Sequence, residues 1–254
     1  MRYQNKVTII TGAAQGIGAG CARVFAQAGA RVVIADRQAA TGRALATELN
    51  GLFVKTDVTQ TSDLQHLIET TVATYGQLDC LINNAGWHPP HQPIDDFTLD
   101  DLRALFELNV VSVFAACQFA LPHLRRTRGN IINIASLVGT MGQHHATTYV
   151  ATKGAVTAFT KALAIDEAHH GVRVNSVSPG NIWTPLWQEA IDAAPDPTQT
   201  KADGLAAQWL GRMGTPDEAG RLCLFIAAEA TFTTGVDHLL TGGAELGYGR
   251  KPTT

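Results

Sequence analysis

Thr11–Gly18 reads TGAAQGIG and decides the fold of this 254-residue chain. It follows directly on the apolar run Val7–Thr11 (VTIIT), and a stretch with helical period comes after it. Glycines between a strand and a helix let the backbone turn tightly and approach a pyrophosphate, whose charge is met by amide groups at the helix N-terminus. The pattern predicts a dinucleotide site in which the contacting residues are Gly12, Gln15, Gly16, Ile17 and Gly18.

An acidic residue closes the second predicted strand. Asp36 in RVVIADR lies 18 residues after Gly18, and a carboxylate there can hydrogen-bond both ribose hydroxyls of NAD and repel the 2′-phosphate of NADP. Arg37, the next residue, could instead bind that phosphate, and Asp36 could simply form a turn after the strand. The balance of these readings favours NAD as the cofactor.

Short apolar runs alternate with longer stretches of helical period along the whole chain. The runs lack polar alternation, as parallel strands covered by helices on both faces do. Regular βα alternation predicts an α/β fold: a Rossmann-type, doubly wound, seven-stranded parallel sheet in one domain over residues 1–254. The predicted strands are Val7–Thr11, Arg31–Ala35, Leu52–Thr56, Cys80–Asn83, Asn130–Ala135, Arg173–Val177 and His238–Leu240. The predicted helices are Ile17–Ala28, Ala39–Glu48, Thr61–Tyr75, Leu99–Leu121, Thr148–His169 and Pro216–Ala227.

One segment, Asn181–Leu210, breaks the alternation and contains three tryptophans and three prolines. It is too long and too aromatic for a plain connection. We interpret it as a lid over the ligand cleft, with Trp183, Leu186 and Trp187 as candidate contacts. The alternative is a surface helical hairpin whose tryptophans pack on the core.

Composition excludes several classes of protein. The formal net charge of −3 gives no reason to expect nucleic acid or an anionic membrane as a partner. No apolar run approaches the ~20 residues that span a bilayer, and the N-terminal MRYQNKVTIITG is expected to enter a strand too soon for a signal peptide. The four cysteines are scattered and are expected to be buried free thiols. These features favour a cytoplasmic protein.

Three polar residues carry the chemistry. Tyr149 and Lys153 are four residues apart in TTYVATKGA, and Ser136 precedes the tyrosine by thirteen residues. Residues i and i+4 share one face of a helix. A buried ammonium near a phenol lowers the tyrosine pKa from about 10, which predicts a tyrosine that exchanges a proton near physiological pH.

Seven motifs resemble the short-chain dehydrogenase/reductase family, in order and spacing, over nearly the whole chain. They are Thr11–Gly18, Asp57 with Val58, NNAG at Asn83–Gly86, Asn109 in ELNV, Ser136 in NIASLVG, Tyr149 with Lys153, and Pro179 with Gly180. Several other stretches, including SLVGTMGQ and SPGNIWTPLW, resemble one member of the family more closely than its consensus. The resemblance extends the cofactor-binding residues to Asp57, Val58, Asn84, Ala85, Gly86, Tyr149, Lys153, Pro179, Gly180, Ile182 and Thr184.

The resemblance also implies a mechanism, the interconversion of a secondary alcohol with a ketone or lactone. Ser136 would hold the substrate oxygen, and Tyr149 would take the hydroxyl proton as hydride leaves for NAD. Lys153 would bind the nicotinamide ribose and lower the tyrosine pKa, and Asn109 would bend its helix and hold a water that relays the proton. A catalytically silent NAD-binding sensor on the same fold is the alternative from another class, and the complete set of four residues argues against it.

The substrate pocket is expected to include His88, Gln143, Trp187 and the C-terminal Tyr248, besides Ser136 and Tyr149. Aromatic walls with a few polar groups suit either a sugar or a steroid. Because buried polar groups are best satisfied by a polyol, the pocket favours a sugar such as L-fucose, with an estradiol-like steroid as the alternative. A metal site at the histidines is disfavoured for want of a carboxylate or thiolate partner.

Members of the family are commonly tetramers. The apolar faces of Leu99–Leu121 and Thr148–His169 would then form the main interface of a homotetramer, and Tyr248 could reach a neighbouring subunit's cleft.

Overall fold

A single parallel sheet organises the computed structural model, which describes residues 2–246. Its seven strands lie in the order β3-β2-β1-β4-β5-β6-β7, and every neighbouring pair is parallel. The strand order reverses between β1 and β4, so a crevice opens at the carboxyl ends of these two strands, where ligands bind in such sheets. The strands are β1 Val7–Thr11, β2 Arg31–Asp36, β3 Leu52–Lys55, β4 Cys80–Asn83, β5 Asn130–Ile134, β6 Arg173–Pro179 and β7 Asp237–Leu240.

Helices connect the strands and cover both faces of the sheet, which confirms the predicted Rossmann-type fold. The helices are α1 Gly16–Gln27, α2 Ala39–Glu48, α3 Thr61–Tyr75, α4 Leu99–Phe106, α5 Ser112–Thr127, α6 Val138–Met141, α7 Thr147–Glu167, α8 Pro185–Asp192, α9 Pro197–Ala206 and α10 Pro216–Ala228. Single 3-10 turns add Ile94–Asp96 and Ala168–His170.

The core has two layers because successive residues of a strand point to opposite faces of the sheet. Ile9 of β1 faces one layer and packs with α3, α5 and α7, whereas Ile10 faces the other and packs with α1, α2 and α10. Both side chains are fully buried. A strand buried on both faces is mainly apolar, which explains why the central strands could be recognised in the sequence.

The predicted helix Leu99–Leu121 is interrupted and is longer than expected. Glu107–Val111 forms a π-turn between α4 and α5, and the helical stretch continues to Thr127. The expectation that no stretch is long and apolar enough to cross a membrane is wrong for Leu99–Thr127: it has 29 residues and a mean hydropathy of 1.7 over its most apolar window. Half of that window is buried within the protein, against the sheet.

The first and last helices of the described chain cross at a glycine. A Cβ atom on Gly20 of α1 would lie 2.4 Å from the main-chain carbonyl carbon and oxygen of Pro216, the first residue of α10. On the opposite helix, a Cβ on Gly220 would lie 2.8 Å from the Gly20 oxygen. The two backbones therefore touch directly, and this contact helps to position α1 and the glycine-rich turn that precedes it.

We expect Gly20→Ala to lower the free energy of unfolding by about 2 kcal/mol, because a new methyl group meets main chain that cannot rotate away. Gly42→Ala in α2 is the matched control: its Cβ would meet only the ring of Phe53, a side chain that can move. Urea unfolding of both variants measures the difference. Equal effects at the two positions would contradict the backbone contact.

Candidate active site

The glycine-rich turn after β1 has a backbone that only glycine can supply at two points. Gly12 has φ +62°, and a Cβ there would lie 2.8 Å from the Cα of Ala85. A Cβ on Gly18 would lie 2.3 Å from the carbonyl oxygen of Gly12 and 2.6 Å from the amide nitrogen of the Asn84 side chain. The bare backbone thus forms a surface that a pyrophosphate can approach at the start of α1.

Asn84 fastens this turn to the end of β4. Its side-chain amide donates to the carbonyl oxygens of Thr11 (2.9 Å) and Gly12 (3.0 Å). In return, the Thr11 hydroxyl accepts hydrogen bonds from the backbone N–H groups of Asn84 (3.0 Å) and Ala85 (3.1 Å). The predicted cofactor residues from the two motifs therefore lie side by side at the point where the strand order reverses.

Asp36 lies at the carboxyl end of β2, buried and oriented by two main-chain groups. One carboxylate oxygen accepts from the backbone N–H of Ala14 (2.9 Å) and the other from that of Gln38 (2.9 Å). Each oxygen keeps a further lone pair, so the carboxylate can still accept hydrogen bonds from two vicinal hydroxyls. The geometry fits a ribose of a dinucleotide at this position.

The other predicted cofactor residues line the same edge of the sheet. Asp57 accepts from the backbone N–H and the hydroxyl of Thr59, and these bonds lower the pKa of its carboxyl group. The positive charge of Arg37 lowers this pKa further. Val58, the residue after Asp57, is buried.

On the far side of the crevice, a Cβ on Gly16 would lie 3.5 Å from the Thr184 side chain. Three more residues anchor the chain beyond β6: Pro179 accepts from the backbone N–H of Leu137, Gly180 donates to Leu240, and Ile182 forms an isolated bridge with Gly214.

Lys153 is a buried amine on α7. It donates to the main-chain oxygen of Ile134 at the end of β5 (2.9 Å), and burial lowers its pKa to about 8. The amine lies 5.7 Å from the centre of the Tyr149 ring, and a Cβ on Gly86 would come within 3.5 Å of it. An ammonium group has three protons, so two remain for the hydroxyls of a bound ribose.

Burial raises the pKa of Tyr149 to about 12, and a side-chain interaction with Ser136 lowers it by less. The two predicted residues therefore lie next to each other. The sequence-based expectation that the pKa of Tyr149 is lowered is wrong for the protein alone. The reason is that desolvation acts on both members of the pair: it disfavours the phenolate and also the Lys153 ammonium that would stabilise it.

Asn109 lies at the centre of the π-turn and is almost fully buried. Its amide group donates to the carbonyl oxygen of Trp87 (3.0 Å) and to the Thr152 hydroxyl (3.1 Å), and its oxygen accepts from the backbone N–H of Trp87 (3.0 Å). Both amide protons are thus engaged. The side chain ties the segment after β4 to α7, which fixes the residues on either side of Trp87.

The predicted substrate residues His88 and Gln143 meet next to the tyrosine. The His88 ring lies 4.1 Å, centre to centre, from the Tyr149 ring, and its Nε2 is 3.0 Å from the Gln143 amide. His91 was not among the predicted substrate residues. In the structure its Nε2 lies 3.2 Å from the other end of the same amide, and only the spacing HPPH hinted at this.

The segment Asn181–Leu210 folds largely as a helical hairpin, α8 and α9, and its role as a lid stays a prediction. A Cβ on Gly204 of α9 would lie 3.1 Å from the ring of Trp187, so this predicted substrate residue packs inside the hairpin. Trp183 faces the Lys201 amine at 5.2 Å. Main-chain hydrogen bonds close the base, from Trp183 to Gly214 and from Gly214 to Asn181. Tyr248 lies outside the described residues.

Metal ligation has no support at the histidines. Within residues 2–246, no group of three or more His, Cys, Asp or Glu side chains is arranged to hold a metal ion. His144 and His145 stack on each other with ring centres 3.6 Å apart.

Comparisons with known proteins give the family of the chain. Residues 12–245 match the family described as enoyl-(acyl carrier protein) reductase. L-fucose dehydrogenase of Mus musculus is 55% identical over 251 residues, covering 98% of this chain and 92% of that protein, and cyclopentanol dehydrogenase of Comamonas testosteroni is 35% identical, covering 95% and 98%. The crystal structure of a 3-ketoacyl-(acyl-carrier-protein) reductase from Brucella melitensis, complexed with NADH, superimposes with a TM-score of 0.88 at 30% identity, covering 96% and 100%. The resemblance seen in the motifs is confirmed: the chain belongs to the short-chain dehydrogenase/reductase family, oxidoreductases that act on CH–OH groups.

Proposed function

We propose that this protein oxidises L-fucose, or a closely related cyclic polyol, with NAD. The observation that carries the proposal is the polar edge formed by His88 and Gln143 beside the Tyr149 ring. A substrate with several ring hydroxyls satisfies these polar groups when it covers them, whereas a mainly apolar ring would leave each one that it buries unpaired at a cost of about 1–3 kcal/mol. The names of the relatives at 55% identity support the same substrate.

NAD fits the residues at the crevice. Asp36 would bind the adenosine ribose, the N-terminus of α1 the pyrophosphate and Lys153 the nicotinamide ribose, and the bound nicotinamide supplies the acceptor for hydride. The orientation of Asp36 by two backbone amides favours vicinal hydroxyls over a phosphate, because a second anion would face a fixed carboxylate.

The chain's own residues handle the proton. In the proposal, Ser136 hydrogen-bonds the substrate oxygen and Tyr149 accepts the hydroxyl proton. Lys153 stabilises the phenolate through its charge, and keeps that charge by donating to Ile134 and to ribose hydroxyls. We expect Asn109 to take part in the proton path through the one remaining acceptor position of its amide oxygen, since both amide protons are engaged and Trp87 already donates to that oxygen.

The four cysteines are free and buried. Reduced thiols of this kind support a cytoplasmic location as part of the proposal.

The pKa shifts predict how NAD binding changes Tyr149. In the protein alone the pKa values of about 8 for Lys153 and about 12 for Tyr149 make both groups neutral between these pH values. We expect saturating NAD to move the phenol titration to lower pH, because hydrogen bonds from the ammonium to ribose and the positive ring both favour the charged pair. The oxidation rate then rises with pH as phenolate forms.

The measurement is difference absorbance of the phenolate, wild type against Tyr149→Phe, with and without NAD. In Lys153→Met we expect the NAD-induced shift to be smaller. An equal shift in this variant and in the wild type would remove Lys153 from its assigned role.

Initial rates test the substrate and the cofactor together. We expect NADH production with L-fucose at mildly alkaline pH, little with estradiol, and at least about tenfold slower turnover with NADP. Tyr149→Phe should lose about 100-fold or more in turnover, since general-base catalysis contributes factors of this order, and should bind NADH nearly as well as the wild type. Turnover of estradiol with no turnover of any aldose would refute the sugar and favour the steroid. Unchanged turnover in Tyr149→Phe would refute the assignment of the base.

We also propose a homotetramer that uses the outer faces of α5 and α7. Phe114 on α5 is 53% exposed and Ile165 on α7 is 77% exposed. Phe114 also contacts Phe159 of α7, with ring centres 5.8 Å apart. Exposed aromatic and branched side chains that adjoin one another are typical of an interaction surface.

Light scattering tests the assembly. We expect a tetramer for the wild type and a smaller species for Phe114→Asp, because a carboxylate would have to be buried without a partner. Ile94→Asp, at an exposed position on the 3-10 turn far along the chain from α5, is the control and should leave the mass unchanged. A monomeric wild type would overturn the proposal.

A further inference from the structure

Three polar side chains form a continuous series from the surface to the reactive tyrosine. The ring nitrogen Nε2 of His91 lies 3.2 Å from the Gln143 amide, and the other end of that amide lies 3.0 Å from Nε2 of His88. The His88 ring in turn contacts the Tyr149 ring at a tilt of 42°. We call these residues the His91–Gln143–His88 chain. The two loops that carry it are joined by a hydrogen bond from the backbone N–H of Gln92 to the carbonyl oxygen of His145 (2.9 Å).

The contact with Pro89 fixes where His88 holds a proton. Nδ1 of His88 lies 2.6 Å from the Pro89 carbonyl oxygen, and this oxygen can only accept. Nδ1 therefore carries hydrogen. A neutral His88 then has a lone pair at Nε2 and needs the nitrogen end of the Gln143 amide opposite it, whereas a charged His88 donates from Nε2 and needs the oxygen end.

Gln143 passes this requirement on to His91, because a carboxamide has one donor end and one acceptor end. When its nitrogen faces His88, its oxygen faces His91, which must then present an N–H. When its oxygen faces His88, its nitrogen faces His91, which must then present a lone pair. The two ends of a side-chain amide are distinguished by their hydrogen-bond partners, so the state of His91 decides which end faces His88.

We propose that His91 is a positioning residue: acting through Gln143, it sets the order of donors and acceptors that the pocket offers to a ring with several hydroxyls. This inference rests on the proposed function, since only a polyol reads such an order. A substrate hydroxyl that meets the wrong order leaves a buried polar group unpaired.

The surroundings disfavour a positive charge on both histidines of the His91–Gln143–His88 chain. His91 is faced by His88, His144 and His145, whose charges, together with burial, lower its pKa. Tyr149 faces His88 from α7, and the Lys153 amine lies 5.7 Å from the centre of the Tyr149 ring. A single proton shared by the pair agrees with the amide geometry, because two N–H groups cannot both face Gln143 without one of them meeting its nitrogen.

Two substitutions of fixed polarity test the inference. His91→Lys can only donate and should hold the nitrogen of Gln143 toward His88. His91→Glu can only accept at high pH and should hold the oxygen there. His144→Ala is the matched control, because it removes a neighbouring imidazole that forms no hydrogen bond with His91, Gln143 or His88.

The first readout needs no substrate. Nitrogen NMR of the histidine rings should show His88 charged up to a pH at least about one unit higher in His91→Glu than in His91→Lys. Direct charge effects would act in the same direction, so both variants are repeated with Gln143→Leu, which cuts the chain. We expect the pH difference between His91→Glu and His91→Lys to fall by at least half when Gln143→Leu is also present. A difference that Gln143→Leu leaves unchanged would overturn the inference.

The second readout is kinetic, with whichever cyclic alcohol the protein oxidises. We expect KM to differ about tenfold between His91→Lys and His91→Glu while kcat changes less than twofold, and His144→Ala to stay within twofold of the wild type in both. Equal KM values in the two His91 variants would overturn the inference. Absence of turnover with every alcohol would count against the proposed function. The NMR result tests the His91–Gln143–His88 chain independently of turnover.

Discussion

Four hydrogen bonds between Thr11, Gly12, Asn84 and Ala85 hold the centre of the molecule together. They join the ends of β1 and β4, the two strands between which the sheet changes direction. The bare turn at the start of α1 and the segment after β4 that leads to Trp87 both lie at this junction. Because that segment is also tied to Asn109, the cofactor end and the catalytic end of the crevice are positioned by one network.

Burial has opposite effects on the two reactive groups of α7. It raises the pKa of Tyr149 to about 12 and lowers that of Lys153 to about 8. Each shift favours the neutral form, so the protein alone does not hold a phenolate paired with an ammonium. In the proposed mechanism, therefore, the pair becomes reactive only when hydrogen-bond acceptors and positive charge reach it together, which couples activation of the base to occupation of the crevice.

Much of the fold could be predicted from the sequence, because its signals are local. Each predicted strand end lies within two residues of the observed one, since strands such as β1 are mainly apolar and buried throughout. The π-turn at Glu107–Val111 and the helices α8 and α9 could not be placed in the same way, because they depend on contacts with other parts of the chain. The same holds for His91: its partner Gln143 is 52 residues away, and no local pattern records that contact. The pKa of Tyr149 is raised rather than lowered because of how deeply the fold buries this side chain, which a motif does not specify.

The hairpin of α8 and α9 is attached to the rest of the molecule at its base. Main-chain hydrogen bonds to Gly214 and Gly242 fasten its two ends, and the contact between Trp187 and Gly204 lies within the hairpin itself. Such an element is modular: its sequence can be exchanged for another of similar length while the sheet and the crevice keep their own contacts. Protein engineers could therefore change the substrate range by grafting the hairpin alone, without redesigning the machinery that binds the dinucleotide.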